Sequence, residues 1–400
     1  MAVSFWRHEV SDLCLAKPAL RSLSVSATVD DALEALKTSE ENFLSVWDCS
    51  HHSKTLAGDH CRCVGKVCMV DVICYLSQDA NLLSPSAALK APVSEIMTET
   101  TATVMHVEPS CSLLKAIDLM LQGIQNLTVP IQTRQSSNSR RKQYPKAINT
   151  TASTIHNGQE FCWLTQEDVV RFLLNSIGVF SPLPALSIDS LGLINTADIL
   201  AINYHSPASS AVQLITQSLT QQTSVAVVDN DGVLIGEISP FTLSSCDESV
   251  AAAIATLSCG ELMAYIDCGG PPEYLIKIVT ERLKERKLQG ALESYSSSTS
   301  TSTMFSSSSS SDEESSVSPG STRMRRSGRF NRSNSYSARM VRRAEAIVCH
   351  PKSSLVAVMI QAIAHRVNYV WVIEDDCSLV GIVTFSGMLK VFREHLETMV

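Results

Sequence analysis

The hydrophobic pattern of this chain repeats four times. Each copy opens with a short apolar stretch, continues through a turn into an amphipathic helix, and ends with two strands and a closing helix. The last copy is the clearest, because residues 346–349 are apolar and residues 355–364 carry apolar side chains three or four positions apart. Val- and Ile-rich stretches at 369–373 and 379–384 predict the two strands. A single unit would expose an apolar face, so we expect the copies to pack against one another.

The other three copies follow the same order. Their first helices are predicted over residues 32–36, 113–121 and 212–219. Their strand pairs are predicted at 43–47 with 65–68, 127–131 with 161–165, and 225–228 with 234–239. The pattern therefore predicts an α/β (α+β) fold of four tandem βαββα units.

Two insertions and one long tract interrupt these units. Residues 48–62 and 132–159 separate the strand pairs of the first two copies, and residues 291–338 are rich first in Ser and then in Arg. Segments so poor in apolar residues cannot repay the entropy of ordering. A long flexible loop also costs little to close, so the third and fourth copies can pack across it. We predict repeats at 11–80, 93–178, 190–290 and 339–400, with a disordered linker at 291–338.

Composition limits the classes of function. The chain has 400 residues, 44% of them hydrophobic, and a formal net charge of −8, so no overall field draws it to nucleic acid or to a membrane. No apolar run is long enough to span a bilayer, and the N-terminus lacks the apolar core of a signal peptide. Thirteen cysteines without a disulfide framework indicate reduced thiols. The sequence therefore predicts a soluble protein of the cytoplasm, with the nucleus as the alternative.

The most informative candidate site lies at the start of the closing helices. In the second copy, Thr165 precedes the helix and Asp168 follows three residues later. This spacing is typical of a capping box, which satisfies backbone N–H groups in the first helical turn. The same arrangement has a functional interpretation, because a helix N-terminus attracts phosphate and a carboxylate can accept both hydroxyls of a ribose. For a single copy, both interpretations stay open.

Comparison of the copies helps to separate the two interpretations. The first copy keeps the acid, Asp71, after Cys68. The third and fourth copies keep a hydroxyl, at Ser239 and Thr384, but no acid follows. Capping tolerates this loss cheaply, whereas a hydrogen bond to a charged group contributes about 1.5–3 kcal/mol, or about ten- to a hundredfold in affinity. We therefore predict any nucleotide site in the first half of the chain, and a second half that is structural or binds something else.

The closing segments resemble the motif of cystathionine-β-synthase (CBS) domains, Gly-apolar-apolar-Thr/Ser-x-x-Asp-apolar. Residues 65–72 follow it, with Lys66 at an apolar position and Cys68 at the hydroxyl position. Residues 162–169 match it except for Cys162 at the glycine position. The other two copies follow its first half, with Glu237 at an apolar position in the third, and both lack the Asp, at residues 236–243 and 381–388. The resemblance covers nearly all of the chain outside the insertions and the tract.

This resemblance implies a fold and a ligand. CBS repeats pair into two-fold Bateman modules, here two of them, whose clefts in this family often hold adenosine nucleotides. The implied ligand is AMP, ADP, ATP or S-adenosylmethionine. Carried over residue by residue, the nucleotide-binding positions are Asp168 and Thr165 at the ribose, Thr100, Ala102 and Val104 along the adenine, and Asp71 with Cys68 in the other cleft.

Four such repeats without a catalytic or transport domain are similar to the γ subunit of AMP-activated protein kinase and to plant four-repeat CBS proteins. The resemblance implies a regulatory protein that senses an adenosine nucleotide and modulates a protein partner, with a kinase complex as one candidate. No enzyme motif is found in the sequence, so we expect no catalysis. The alternative is a ligand-free interaction scaffold with degenerate repeats and a phosphoregulated Ser/Arg tract. A homodimer also stays open.

Two further segments carry candidate chemistry. In the tract, Ser311 precedes three acidic residues and Arg332 lies three residues before Ser335, so both serines are candidate phosphorylation sites. In the first insertion, thiols and imidazoles suited to zinc are close in sequence: Cys49, His51, His52, His60, Cys61 and Cys63. Their spacing does not match a zinc motif, so we expect a polar insertion without metal, and a metal site is the alternative.

Overall fold

The computed structural model describes residues 7–39, 41–49, 61–97, 104–131, 154–267, 271–303 and 345–398, without the side chains of 298–303. Four small sheets are formed, one for each copy. The strands are β1 Ser22–Ser24, β2 Phe43–Asp48, β3 Arg62–Cys68, β4 Val104–His106, β5 Asn126–Ile131, β6 Ile155–His156, β7 Gln159–Thr165, β8 Ala201–Asn203, β9 Val225–Val228, β10 Leu234–Ile238, β11 Val348–Cys349, β12 Tyr369–Ile373 and β13 Leu379–Thr384.

Helices cover one side of each sheet and connect the copies. In chain order they are α1 Val10–Leu13, α2 Val29–Thr38, α3 Met69–Leu76, α4 Asp79–Leu83, α5 Pro85–Ala88, α6 Leu113–Leu121, α7 Gln166–Asn175, α8 Val212–Gln221, α9 Pro240–Leu243, α10 Val250–Thr256, α11 Cys259–Ile266, α12 Glu273–Glu285, α13 Gln289–Thr303, α14 Leu355–His365 and α15 Phe385–Thr398. Thus each predicted helix and strand exists within a few residues of its predicted bounds, and the α/β (α+β) prediction is confirmed.

Every sheet has the same topology. The middle strand pairs in parallel with the first strand of its copy and antiparallel with the last. A parallel pair needs a crossover, and the first helix of each copy supplies it. The second sheet has a fourth strand, in the order β4-β5-β7-β6.

Consecutive copies pair through the sheet faces that their helices leave uncovered. Between the first two copies, Leu20 N donates to Phe161 O at 2.8 Å and Cys63 N donates to His106 Nε2 at 3.0 Å. A small apolar cluster fills this interface, formed by Leu20, Trp47, Cys61, Cys63, Val104 and Phe161. Between the third and fourth copies, Leu379 N donates to Gly232 O at 3.1 Å. Copies one and two therefore form one pair, and copies three and four form the other.

The two pairs pack against each other through their helices. One apolar cluster joins the helices of copies one and three, and another joins those of copies two and four. Ion pairs cross both contacts, with Lys37 Nζ 2.6 Å from Glu248 Oε1 and Arg393 Nε 2.8 Å from Asp118 Oδ1. No helix among the described residues is both long and apolar enough to span a membrane.

The predicted disorder of residues 291–338 is wrong at its start, because α13 extends to Thr303. Ala291 and Tyr295 are only 4% and 2% exposed, and the Tyr295 hydroxyl lies 3.1 Å from that of Tyr265. Burial of this aromatic side chain stabilises a helix whose Ser and Thr residues have low helix propensity. The remainder of the tract, with Ser311 and Ser335, lies outside the described residues.

The insertion at 132–159 is also more ordered at its end than we expect from its composition. β6 pairs with β7 through a two-residue turn at Asn157 and Gly158, whose φ angles are 51° and 75°. Asn and Gly tolerate the positive φ that such hairpin turns require. This Asn-Gly pair is a hairpin signal in the sequence, and it fixes His156 in the structure.

Replacing Tyr295 by Ala should lower the free energy of unfolding by about 3 kcal/mol or more, because a buried aromatic ring is lost. Glu293→Ala, on the exposed side of the same helix, should change it by less than about 0.5 kcal/mol. Urea unfolding followed by circular dichroism measures both variants. Equal transition midpoints would contradict the burial of α13.

Candidate functional site

The candidate site lies where α7 leaves the second sheet. The strand register places Thr165 opposite Asn126, and Asn126 beside Val104. Side chains at paired positions of neighbouring strands point to the same face of a sheet. Thr165, Asn126 and Val104 are therefore adjacent, on the face of the second sheet that packs against the first copy.

Thr165 and Asp168 form the capping box that their spacing predicts. Asp168 Oδ2 accepts hydrogen bonds from Thr165 N and Thr165 Oγ1, both at 2.8 Å. Thr165 Oγ1 in turn accepts from Asp168 N at 3.4 Å. The structural interpretation of this motif is thus correct for the second copy. A ligand can bind only to the polar atoms of these residues that the cap does not occupy.

A lysine that the sequence analysis missed completes this group. Lys17 Nζ lies 2.5 Å from Asp168 Oδ2 and donates to Trp163 O at 2.7 Å. All three donors to the carboxylate reach Oδ2, and no hydrogen bond or ion pair to Asp168 Oδ1 is found within the described part of the chain. One carboxylate oxygen is therefore committed to the fold, and the other can still accept hydrogen bonds.

Asn126 supplies an unexplained polar group at the same place. Its side chain is 5% exposed, and its Nδ2 has no hydrogen-bond partner among the described residues. A buried amide donor without a partner costs about 1–3 kcal/mol, and such groups are uncommon in folded proteins. The donor lies between Thr165 and Val104, so an acceptor bound at this site would satisfy it.

The equivalent place in the first copy is more enclosed. Cys68 N donates to Asp71 Oδ2 at 2.7 Å, and Cys68 is 2% exposed. Burial raises the pKa of Asp71 and of Cys68, and burial lowers the pKa of Lys66, whose ammonium lies 4.9 Å from the ring centre of Phe43. The ionised carboxylate is thus less favoured here, which makes this cleft the weaker candidate.

The second pair of repeats has a different interface. Ser239 and Thr384 cap their helices through side-chain oxygens, without an acid three residues later. Glu237, which is 1% exposed, accepts from Tyr369 Oη at 2.9 Å and from Trp371 Nε1 at 2.8 Å. These side chains occupy the interface between copies three and four.

The structure brings some predicted site residues together and leaves others undecided. Thr165, Asp168 and Val104 lie at one edge of the second sheet, whereas Asp71 and Cys68 lie at the matching edge of the first. Thr100 and Ala102 lie outside the described residues. Asn126 could have been found as a polar residue that opens an otherwise apolar strand. Lys17 could not, because it precedes the first repeat and reaches Asp168 only through the tertiary fold.

An open cavity of about 590 Å³ lies elsewhere, between the helices of copies one and three. None of the residues that line it is charged, and all except Val212 are polar: Gln78, Ser209, Val212, Gln213, Thr216, Gln217 and Thr220. Because it contains no group that would bind a phosphate or a ribose strongly, we do not assign the ligand to it.

Proteins of Arabidopsis thaliana are similar to this chain over nearly its whole length. No protein-family model matches it. It is 52% identical over 410 residues to the CBS domain-containing protein CBSX5 of Arabidopsis thaliana, covering 99% of both chains. It is 20% identical over 416 residues to the SNF1-related protein kinase regulatory subunit gamma-like PV42b of the same plant, covering 98% of this chain and 96% of that one.

One solved structure shows the same fold. Protein MJ1225 of Methanocaldococcus jannaschii, described as a candidate archaeal homologue of γ-AMPK, superposes with a TM-score of 0.53 at 14% identity. The match covers 96% of this chain and 100% of that one. At this identity the similarity supports the architecture and nothing finer.

Asp168→Ala and Asp31→Ala each remove a capping box of the same geometry, since Thr28 N and Oγ1 donate to Asp31 Oδ2 at 2.9 and 2.7 Å. We expect Asp31→Ala to lower the free energy of unfolding by about 1 kcal/mol. Asp168→Ala should cost up to about 1 kcal/mol more, because Lys17 also loses its partner. Chemical denaturation measures both. An Asp168→Ala protein that is more stable than Asp31→Ala would contradict this geometry.

Proposed function

The chain belongs to the CBS-domain-containing proteins, and we propose that it is a regulatory protein that binds an adenosine nucleotide between its first two repeats. The observation that carries the proposal is the divided use of the Asp168 carboxylate. The cap and Lys17 hold Oδ2, while Oδ1 accepts no hydrogen bond from the described residues. AMP, ADP, ATP and S-adenosylmethionine all contain the adenosine that such a site would bind.

The groups around Asp168 fit the parts of a nucleotide. A carboxylate only accepts hydrogen bonds, so Oδ1 suits the hydroxyls of a ribose. The N-terminus of α7 and the ammonium of Lys17 provide positive potential for a phosphate. The ring nitrogens of adenine accept hydrogen bonds. The buried Nδ2 of Asn126 is a donor that has no acceptor among the described residues. Thr100, Ala102 and Val104 stay proposed contacts to the base, and Asp71 with Cys68 a proposed second site.

The position of the site would couple nucleotide binding to the packing of the first two repeats. Thr165, Asn126 and Val104 lie on the face that packs against the first copy, so a bound nucleotide would favour one relative packing of the two repeats. A protein partner that binds this packing better would respond to the ligand. The name of the relative PV42b makes a kinase complex the first partner to test. Reduced thiols fit a cytoplasmic or nuclear protein.

We propose no catalytic role. One thiol and one imidazole do lie close together, with Cys49 Sγ 3.4 Å from His156 Nδ1. Burial, aided by a hydrogen bond with Cys61, raises the pKa of the Cys49 thiol to about 12. A catalytic cysteine needs a lowered pKa, so we do not propose this pair as a nucleophile.

The second candidate function is a ligand-free scaffold. The ion pair of Lys17 with Asp168 favours it, because that contact already satisfies part of the carboxylate. In that case, the Ser/Arg tract would capture the partner. The two candidates differ in which residues a partner needs.

Isothermal titration of the full chain with AMP, ATP and S-adenosylmethionine tests the proposed ligand. We expect at least one to bind, and Asp168→Ala to weaken its binding by about ten- to a hundredfold, since a hydrogen bond to a charged group is lost. Asp31→Ala removes a matched cap away from the site and should leave affinity unchanged. Silence for all three ligands at millimolar concentration, or equal affinities in the two variants, would defeat the proposal.

Deletion of residues 304–338, which spares α13, separates the two functions. If the chain is a nucleotide sensor, this deletion should leave nucleotide affinity unchanged and keep the nucleotide-dependent binding of a purified kinase complex. If it is a scaffold, the deletion should abolish partner binding while Asp168→Ala has no effect. Pull-down with and without AMP measures both variants.

A further inference from the structure

The ends of three strands bring two thiols and one imidazole together, and nucleotide binding does not use them. Asp48 pairs with Arg62 in the antiparallel ladder of β2 and β3, so Cys49 and Cys61 follow and precede that pair at the same end. His156 comes from β6, in the insertion of the second copy. The group therefore joins two insertions that are far apart in sequence.

The distances fit a metal ion with nitrogen and sulfur ligands. The Sγ atoms of Cys49 and Cys61 and a ring nitrogen of His156 all lie within 4.8 Å of one another. Cys49 Sγ is 3.4 Å from His156 Nδ1. A tetrahedral zinc site, with bonds near 2.3 Å to sulfur and 2.0 Å to nitrogen, places these two ligand types about 3.5 Å apart.

The imidazole is held in the orientation that a ligand needs. His156 Nε2 lies 2.8 Å from Ser22 Oγ, and the ring stacks on Trp47 with centroids 3.7 Å apart and planes inclined by 1°. With Nε2 donating its proton to the hydroxyl, Nδ1 keeps its lone pair for a metal. His156 is 7% exposed, so the surroundings fix the ring.

One thiol is tied directly to the hairpin that carries the histidine. Cys61 N donates to Asn157 Oδ1 at 2.8 Å, and Asn157 Nδ2 donates to Cys61 O at 2.9 Å. This pair of hydrogen bonds fixes the backbone of Cys61 next to His156. The neighbouring thiol of Cys63 instead points toward Gly65 O, at 3.4 Å, so it is not one of the ligands.

We propose that Cys49, Cys61 and His156 bind one zinc ion, which links the insertion of the first repeat to that of the second. Two thiolates and an imidazole are ligands that zinc prefers, and three protein ligands leave a fourth position for water or another group. Two cysteines alone would equally fit a disulfide; the oriented histidine favours a metal. His51, His52 and His60 lie outside the described residues.

This proposal replaces the expectation of a polar insertion without metal by the alternative that the sequence left open, and the fold explains the difference. The cysteine spacing in the first insertion matches no zinc motif because the third ligand lies in another repeat. The proposal is independent of nucleotide binding. It predicts that zinc stabilises the contact between the first two repeats, since binding energy available only to the folded pair adds to its stability.

Cobalt titration of the reduced, chelator-treated full chain tests the site. Tetrahedral cobalt–thiolate binding gives visible d–d bands and a near-ultraviolet charge-transfer band, and zinc should abolish both. We expect one equivalent of zinc per chain, and loss of the spectrum in Cys49→Ser, Cys61→Ser and His156→Gln. Cys63→Ser and the exposed Cys377→Ser are the matched controls and should keep both stoichiometry and spectrum.

Ser22→Ala tests the orientation of the histidine and should weaken cobalt affinity by about 10–100-fold while stoichiometry at saturation stays the same. In the unmutated chain, bound zinc should also protect Cys49 and Cys61 from alkylation, which mass spectrometry detects even if a variant fails to fold. No cobalt–thiolate spectrum, metal binding that survives His156→Gln but needs His51, His52 or His60, or a Cys49–Cys61 disulfide that persists in reductant would each overturn the proposal.

Discussion

The burial of both faces of each small sheet is the constraint on which the structure depends. β12 is buried at all five positions, although a sheet of three strands has only one side covered by its own helices. The other side must be covered by a neighbouring copy. Pairing of consecutive repeats follows from this requirement, and helix contacts between the two pairs cover the remaining apolar surface. Any ligand site that uses a sheet end must therefore lie at an interface between repeats.

The two pairs meet this constraint with different chemistry. In the second pair, the carboxylate of Glu237 accepts hydrogen bonds from Tyr369 and Trp371 across the interface. In the first pair, the amide of Asn126 lacks a partner among the described residues and Asp168 keeps an unused oxygen. An interface with one donor and one acceptor that lack partners among the described residues is suited to a polar ligand. The same first pair also holds the thiol and imidazole group, so both proposed sites act on one contact between repeats.

Much of the fold could be predicted from the sequence because its signals are local. Apolar residues three or four positions apart give the helices, and Val- and Ile-rich stretches give the strands, in all four copies. The start of α13 escaped prediction because two buried side chains outweigh a run of Ser and Thr. β6 escaped because the polar composition of its insertion concealed an Asn-Gly turn.

The candidate site was predictable only in part. Thr165 and Asp168 are three residues apart, so their contact is local and follows from the sequence. Lys17 and His156 reach their partners across more than a hundred residues, through the packing of one copy against another. No spacing rule within a single copy contains that information, which also explains why the cysteines of the first insertion matched no metal motif.

A nucleotide bound at the interface between the first two repeats should protect the backbone amides around it. Hydrogen–deuterium exchange of the full chain, with and without a saturating adenosine nucleotide, measures this protection. Exchange should slow at the start of α7 and in β4 and β5, with no change at the caps of Ser239 and Thr384. Protection confined to the third and fourth repeats, or no protection anywhere, would contradict nucleotide binding at this interface.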